Sequence, residues 1–177
     1  APFRGFLQER EYLLKSKKDE LGECMLFFGC RKEEHDYIYR DEMEKALSEN
    51  VISSLNVAFS RDDPKKKVYV QDKIQMKAKD VYKILRIPNG AVYVCGDAKH
   101  MSRDVNRALL QVLQREGEYA IHEAEEIIRR LVVDKRYMKD VWWWIFPLVD
   151  NNKINLRSIT IITIVYNTNI LHHLPNS

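Results

Sequence analysis

Cysteine, glycine and long apolar runs are all scarce in this chain, and each scarcity closes off a class of protein. Only three cysteines, Cys24, Cys30 and Cys95, stand among 177 residues. They make neither an even disulfide set nor a Cys-x-x-Cys metal pair, so reduced thiols in a reducing, cytoplasmic compartment are expected. The five histidines, His35, His100, His122, His172 and His173, include no pair at helical i, i+4 spacing and none at an evident spacing from a cysteine. A zinc site and thiol hydrolysis therefore both lack partners, and no metal is expected. The best apolar candidate, "ITIITIVY", has eight residues interrupted by threonines, against roughly 18 to 20 for a membrane-spanning helix. No membrane segment is expected. Charge of one sign is missing too: 29 Lys+Arg against 26 Asp+Glu leave a net charge of +3, too even to draw nucleic acid or an anionic membrane surface. Any anion site must be local. The opening "APFRGFLQER" has no initiating Met and none of the basic-then-apolar layout of a signal peptide, so the chain reads as starting inside a longer one.

What is present is an alternation. Residues 2 to 15 have Pro2 in the first turn and Phe3, Phe6, Leu7, Leu13 and Leu14 at near-helical spacing, which predicts a helix. "CMLFFGC" is a continuous apolar run, as in a strand buried on both faces. Helical period returns in "DYIYRDEMEKAL", and "LNVAFS" reads as the next strand, stopped by "RDDPKKK". A helix over about 72–86 ends at the turn signal "PNG". "AVYVCG" is the third strand, followed by helices near 99–116 and 121–134. Alternation of this kind predicts one α/β domain, a parallel sheet with helices on both faces. In such sheets ligands bind beyond the carboxyl ends of the strands, where helix N-termini also point. All three predicted strand ends carry useful chemistry: Gly29-Cys30-Arg31, Ser60-Arg61 and Cys95-Gly96-Asp97. Beyond residue 142 the composition turns to Ile and Asn with few charges. Residues 143–177 are expected to be either an extra strand or an unpacked tail without fixed structure.

Two stretches could carry chemistry. Arg61, Lys65, Lys66 and Lys67 surround a strand end, with Ser60, Tyr69 and Gln71 within reach. Arg offers a planar fork, Lys a point charge and the hydroxyls further donors, a set suited to a phosphate monoester; it also suits a plain solvated loop. In Cys95-Gly96-Asp97 the glycine permits close backbone approach or a positive φ, the aspartate can cap a helix or act on a ligand, and the thiol can equally be a small buried hydrophobe. "KRYMKDVWWW" then sets three tryptophans in a row. On a strand, neighbours point to opposite faces, so not all three can plug one core.

In this order the motifs resemble the NADP-binding end of the FAD/FMN diflavin reductase family, the group that includes NADPH-haemoprotein reductase and methionine synthase reductase. They are Ala1 to Phe3, Gly29 to Arg31, Phe59 to Arg61, Lys67 to Gln71, Tyr93 to Asp97 and Asp140 to Trp142, six in register over residues 1–142. "MLFFGCR" and "KVYVQDKIQ" are most similar to the methionine synthase reductase branch. The resemblance implies a ferredoxin-reductase-like, Rossmann-type NADP-binding domain over residues 1–142, lacking its first strand, with residues 143–177 as an atypical tail. It implies that Ser60, Arg61, Lys67, Tyr69 and Gln71 hold the 2′-phosphate and adenosine of NADPH, and that Asp104 is a further contact. Cys95, Gly96 and Asp97 would lie by the nicotinamide with Asp140 in support, and Trp142 would stack on the flavin of FAD.

The reaction so implied is that of an oxidoreductase: hydride passes from NADPH to FAD, then electrons pass through FMN to a metal-centred acceptor. The cofactors carry the redox step, and the protein contributes position and electrostatics. Two departures from the family pattern matter. The glycine-rich turn and strand that ought to precede Ala-Pro-Phe are absent from the sequence, and 35 residues follow Trp142 where relatives end. The flavin domains also lie outside this sequence. Weak NADPH binding and no hydride transfer by this chain alone are therefore expected. The alternative is a catalytically silent fragment of the same fold that docks a protein partner.

Overall fold

A computed structural model describes residues 2–16, 21–63, 65–97, 101–142 and 160–166. Its elements are α1 (Pro2–Ser16), β1 (Cys24–Cys30), α2 (Glu33–Asp36), α3 (Arg40–Ser48), β2 (Ser54–Phe59), α4 (Val70–Met76), α5 (Ala78–Arg86), β3 (Gly90–Asp97), α6 (Met101–Gly117), α7 (Ile121–Val133), β4 (Tyr137–Trp142) and β5 (Thr160–Tyr166). The five strands form one sheet in the order β2-β1-β5-β3-β4. β1 and β2 are parallel, as are β3 and β4, and β5 is antiparallel to both β1 and β3. The first four strands therefore all point one way, and their carboxyl ends share one edge.

β1 is buried along its whole length, as its uninterrupted apolar sequence requires. Its side chains alternate between two cores. Leu26, Phe28 and Cys30 pack with Phe3 and Leu7 of α1, Met43 of α3 and Ile52. Met25 and Phe27 face the other way, into a larger core with Ile74, Val81, Ile84, Leu109 and Leu113. α6 supplies Val105, Ala108, Leu109, Val112 and Leu113 to that core, a stripe at helical spacing. Helices thus cover both faces, and the α/β architecture expected from the alternation is present.

Several expectations are corrected. The sheet is mixed rather than purely parallel, because part of the region beyond residue 142 supplies β5. Between β1 and β3 two rows of backbone N–H and C=O groups need partners away from water. Residues 160–166, rich in Thr, Ile and Val, satisfy both rows, with Gly29 opposite Thr160 on one side and Cys95 opposite Ile161 on the other. Ile162 is fully buried. The helix expected over "DYIYRDEMEKAL" starts only at Arg40, as α3, because Tyr39 before it has a φ of 61° and residues 37–39 are not helical. Its neighbour Tyr37 turns inward to pack on Phe28 and Phe59, at 5.3 and 5.7 Å between ring centres. The helix expected over 72–86 begins earlier, at Val70, where the Asp72 carboxylate accepts the Tyr69 N–H at 2.8 Å, and it is interrupted at Lys77.

In α1 the buried stripe is Phe3, Leu7 and Arg10, while Leu14 is exposed. The Arg10 guanidinium takes an apolar position because it donates to two carbonyls, Val51 O at 2.9 Å and Gly22 O at 2.8 Å. Among the described residues no helix is long and apolar enough to cross a membrane.

Candidate functional site

The shared carboxyl edge collects the residues singled out from the sequence. Ser60 and Arg61 follow β2 directly. The Ser60 N–H donates to Cys30 O at 3.0 Å, its hydroxyl to the same carbonyl at 3.3 Å, and the Arg61 N–H to Arg31 O at 2.8 Å. The loop is therefore tied to the end of β1 while the Arg61 side chain is exposed. Lys65, Lys66 and Lys67 are exposed as well, and among the described residues none of these four cations has an ion pair. With Asp62 and Asp63 counted, residues 61–67 hold four cations against two carboxylates, an excess of positive charge that favours a local anion.

Beside them is a cavity of about 220 Å³ lined by Val57, Phe59, Asp62, Asp63, Lys66, Val68 and Lys73. Its two carboxylates are occupied in holding the loop: Asp62 accepts the Glu33 N–H at 3.2 Å, and Asp63 the Lys65 N–H at 2.8 Å. The lining combines Val57, Phe59 and Val68 with two lysines and two carboxylates, and so offers apolar contact to a ring and two cations to a phosphate. Tyr69 is exposed and Gln71 half-buried where α4 begins. Lys73 also lines this cavity, although no motif in the sequence singles it out. Its only signal was position, one helical turn beyond Tyr69 and so on the same helix face. A larger cavity, about 320 Å³, lies at the α4–α5 break between Gln75 and Glu116, and none of its lining residues belongs to a strand end.

The second cluster lies at the ends of β3 and β4, where Cys95 is opposite Asp140, Gly96 opposite Val141 and Asp97 opposite Trp142. Gly96 has a φ of 144°, a conformation that side chains rarely tolerate. Cys95 is 9% exposed and packs with Phe3, Ala91 and Tyr93 on the α1 side of the sheet. Burial, reinforced by the Asp140 charge, pushes its thiol up to about 11. It is neutral at physiological pH, a small apolar wall rather than a nucleophile. Asp140 is exposed. The side chains of Asp97 and Trp142 lie outside the described residues, as do Trp143, Trp144 and the rest of the tail apart from β5. Asp104 sits in the first turn of α6 with Arg107 at 3.7 Å.

The sequence-predicted residues thus form two groups on one edge rather than one tight cluster. Ser60, Arg61, Lys67, Tyr69 and Gln71 adjoin β2; Cys95, Gly96, Asp97, Asp140 and Trp142 adjoin β3 and β4. From β2 to β3 the sheet crosses β1 and β5, three steps of about 4.8 Å or about 14 Å in all. That separation fits an extended dinucleotide lying along the edge, its two ends served by different chemistry.

Comparison with known proteins agrees with the motifs. Residues 1–107 match the model of the oxidoreductase NAD-binding domain. Human methionine synthase reductase is 43% identical over 148 residues, covering 80% of this chain and 21% of that protein. NADPH–cytochrome P450 reductase of Drosophila melanogaster is 42% identical over 142 residues, and that of Salmo trutta 40% over 142, each covering 80% of this chain. The chain spans about a fifth of the length of these relatives, between 20% and 23%. The resemblance to the diflavin reductases is borne out by these matches. The chain belongs to the oxidoreductase NAD-binding domain family.

Proposed function

We propose that this chain is the NADPH-binding portion of a diflavin oxidoreductase. The observation that carries the reading is the run of exposed cations that follows β2, Arg61, Lys65, Lys66 and Lys67, none with an ion pair among the described residues, next to a partly apolar cavity lined by Lys66 and Lys73. The 2′-phosphate distinguishes NADPH from NADH, and a fork-shaped guanidinium with nearby ammonium groups is the chemistry that selects it. Arg61 binds the phosphate, Ser60 and Tyr69 donate hydroxyls, Lys67 adds charge and Gln71 meets the adenosine. Asp104 is a further contact from α6.

At the other cluster Cys95 and Gly96 keep the wall low beside the nicotinamide, with Asp97 and Asp140 as carboxylates and Trp142 as an aromatic cover for the flavin. Bound there, NADPH would supply hydride for FAD, with onward electron transfer through FMN to a metal-centred acceptor, the cobalamin of methionine synthase or a haemoprotein. FAD would be shared with a domain beyond this sequence, and FMN held in another. The residues of this chain bind, orient and select. The NADP-binding motifs lie within residues 1–142, and residues 160–166 add β5 to the same sheet. Alone, without the flavin domains, the chain transfers no hydride.

Calorimetric titration tests the reading. NADPH should bind at least tenfold more tightly than NADH, and Arg61→Ala should reduce NADPH to the NADH level. A charge-assisted hydrogen bond contributes about 1.5–3 kcal/mol, or about 10- to 100-fold in affinity. Equal affinities for the two nucleotides in the unaltered chain would remove the basis of the proposal. The position of β5 gives some weight to a second reading, a catalytically silent fragment that docks a partner protein; saturation by neither nucleotide would favour it.

A further inference from the structure

α1 leads directly into β1. In a doubly wound sheet the strand that feeds such a helix lies beside the strand the helix leads into, because parallel crossovers are right-handed and join near neighbours. β1 has two neighbours. β2 on one side is parallel and follows it in the chain; β5 on the other is antiparallel and comes from residues 160–166. β5 also pairs with β3 from Gly90 to Cys95. The position of a strand feeding α1 is therefore filled, and both of its edges are hydrogen-bonded.

This has a consequence for the ligand. The diphosphate of a dinucleotide is held where a strand rises to the carboxyl edge and turns, through glycines, into a helix N-terminus, so that successive N–H groups face the phosphates. β5 runs the opposite way. It starts at the carboxyl edge, with Thr160 opposite Gly29, and leads away from it to Tyr166, opposite Gly90. While β5 is seated, no strand can rise between β1 and β3 and turn into α1. The ends of β2 and β3 are not affected, since each keeps its parallel partner and its loop.

We infer that, with β5 between β1 and β3, this chain recognises the 2′-phosphoadenosine half of NADPH and gains no affinity from the diphosphate. The inference rests on the reading in the preceding subsection and narrows its ligand class to adenosine 2′-phosphates.

Two measurements on the 177-residue chain test it. In amide hydrogen exchange, residues 161–165 should be as protected as residues 92–94 of β3; exchange at the rate of an unstructured peptide would overturn the inference. In calorimetry at one ionic strength, adenosine 2′-monophosphate and NADPH should bind within about threefold of each other, and Arg61→Ala should weaken both at least tenfold. NADPH binding tenfold or more tightly than adenosine 2′-monophosphate would overturn this inference and leave the NADPH-binding reading standing. Binding of neither would overturn both.

Discussion

Ile162 of β5 lies in register with Phe27 of β1, and both are fully buried in the core beneath α4 to α6. A residue from the far end of the chain thus packs at the middle of the sheet. Truncating it should behave as a core deletion rather than as a change in a tail. Ile162→Ala is expected to destabilise by about 2–5 kcal/mol, read as a lower urea midpoint. Val132→Ala, at a 50% exposed site on α7, should stay within about 0.5 kcal/mol.

Gly96 is the backbone device of the β3 terminus. Its φ of 144° is open to glycine and strained for any residue with a Cβ. Gly96→Ala should lower stability by about 1–3 kcal/mol and shift Cys95 and Asp97, its neighbours. Thermal unfolding measures the first effect, and the reactivity of Cys95 toward a thiol reagent measures the second.

The three buried thiols predict a pH dependence. Burial pushes Cys24 up to about 11, Cys30 up to about 12 and Cys95 up to about 11. An unfolded cysteine ionises near 8.5. Between about pH 9 and 11 the unfolded chain has released these protons while the folded chain still holds them, so stability falls as pH rises. Each thiol withdraws up to about 1.4 kcal/mol per pH unit in that window. Urea unfolding at pH 7.5 and pH 10 should show the loss, and Cys24→Ala should make it shallower.

How far the fold could be read from the sequence depended on whether the cause was local. "CMLFFGC" declared itself because a strand buried on both faces needs no alternation. The strand ends at Ser60-Arg61 and Cys95-Gly96-Asp97 declared themselves because charge and glycine stop an apolar run. The late start of α3 did not, since the left-handed backbone of Tyr39 accompanies contacts made far away in sequence: the Arg4 guanidinium lies 5.0 Å from the Tyr39 ring centre, and Tyr37 packs on Phe28 and Phe59. β5 was half legible, since an extra strand was one of the two expectations for residues 143–177. Its sequence showed β propensity, but the gap it fills exists only once β1 and β3 are in place.

Arg10 is another long-range case, a charged residue in an apolar stripe whose acceptors are 12 and 41 residues away. Removing the guanidinium leaves the buried carbonyl of Val51 and the half-buried one of Gly22 without that donor. Arg10→Ala should cost about 2–4 kcal/mol, since hydrogen bonds to charged groups contribute about 1.5–3 kcal/mol and packing is lost as well. Equilibrium denaturation gives the value. NADPH affinity in the folded variant should be unchanged, because Arg10 touches neither strand-end cluster.

Lys73 offers the most specific check on the cavity at the end of β2. It lines that cavity from α4, together with Asp62 and Asp63 of the loop, and among the described residues it has no ion pair. If its charge serves only solubility, replacing it should change neither stability nor binding. If the cavity holds the phosphorylated end of the nucleotide, Lys73→Gln should weaken NADPH by about 3- to 10-fold, or about 0.7–1.4 kcal/mol, and leave NADH unaffected. The loss should shrink as salt rises, since a half-buried ammonium at the surface is still screened, over about 10 Å at 0.1 M. Titrations of both nucleotides at two ionic strengths, with a thermal melt to confirm an unchanged fold, separate the two outcomes.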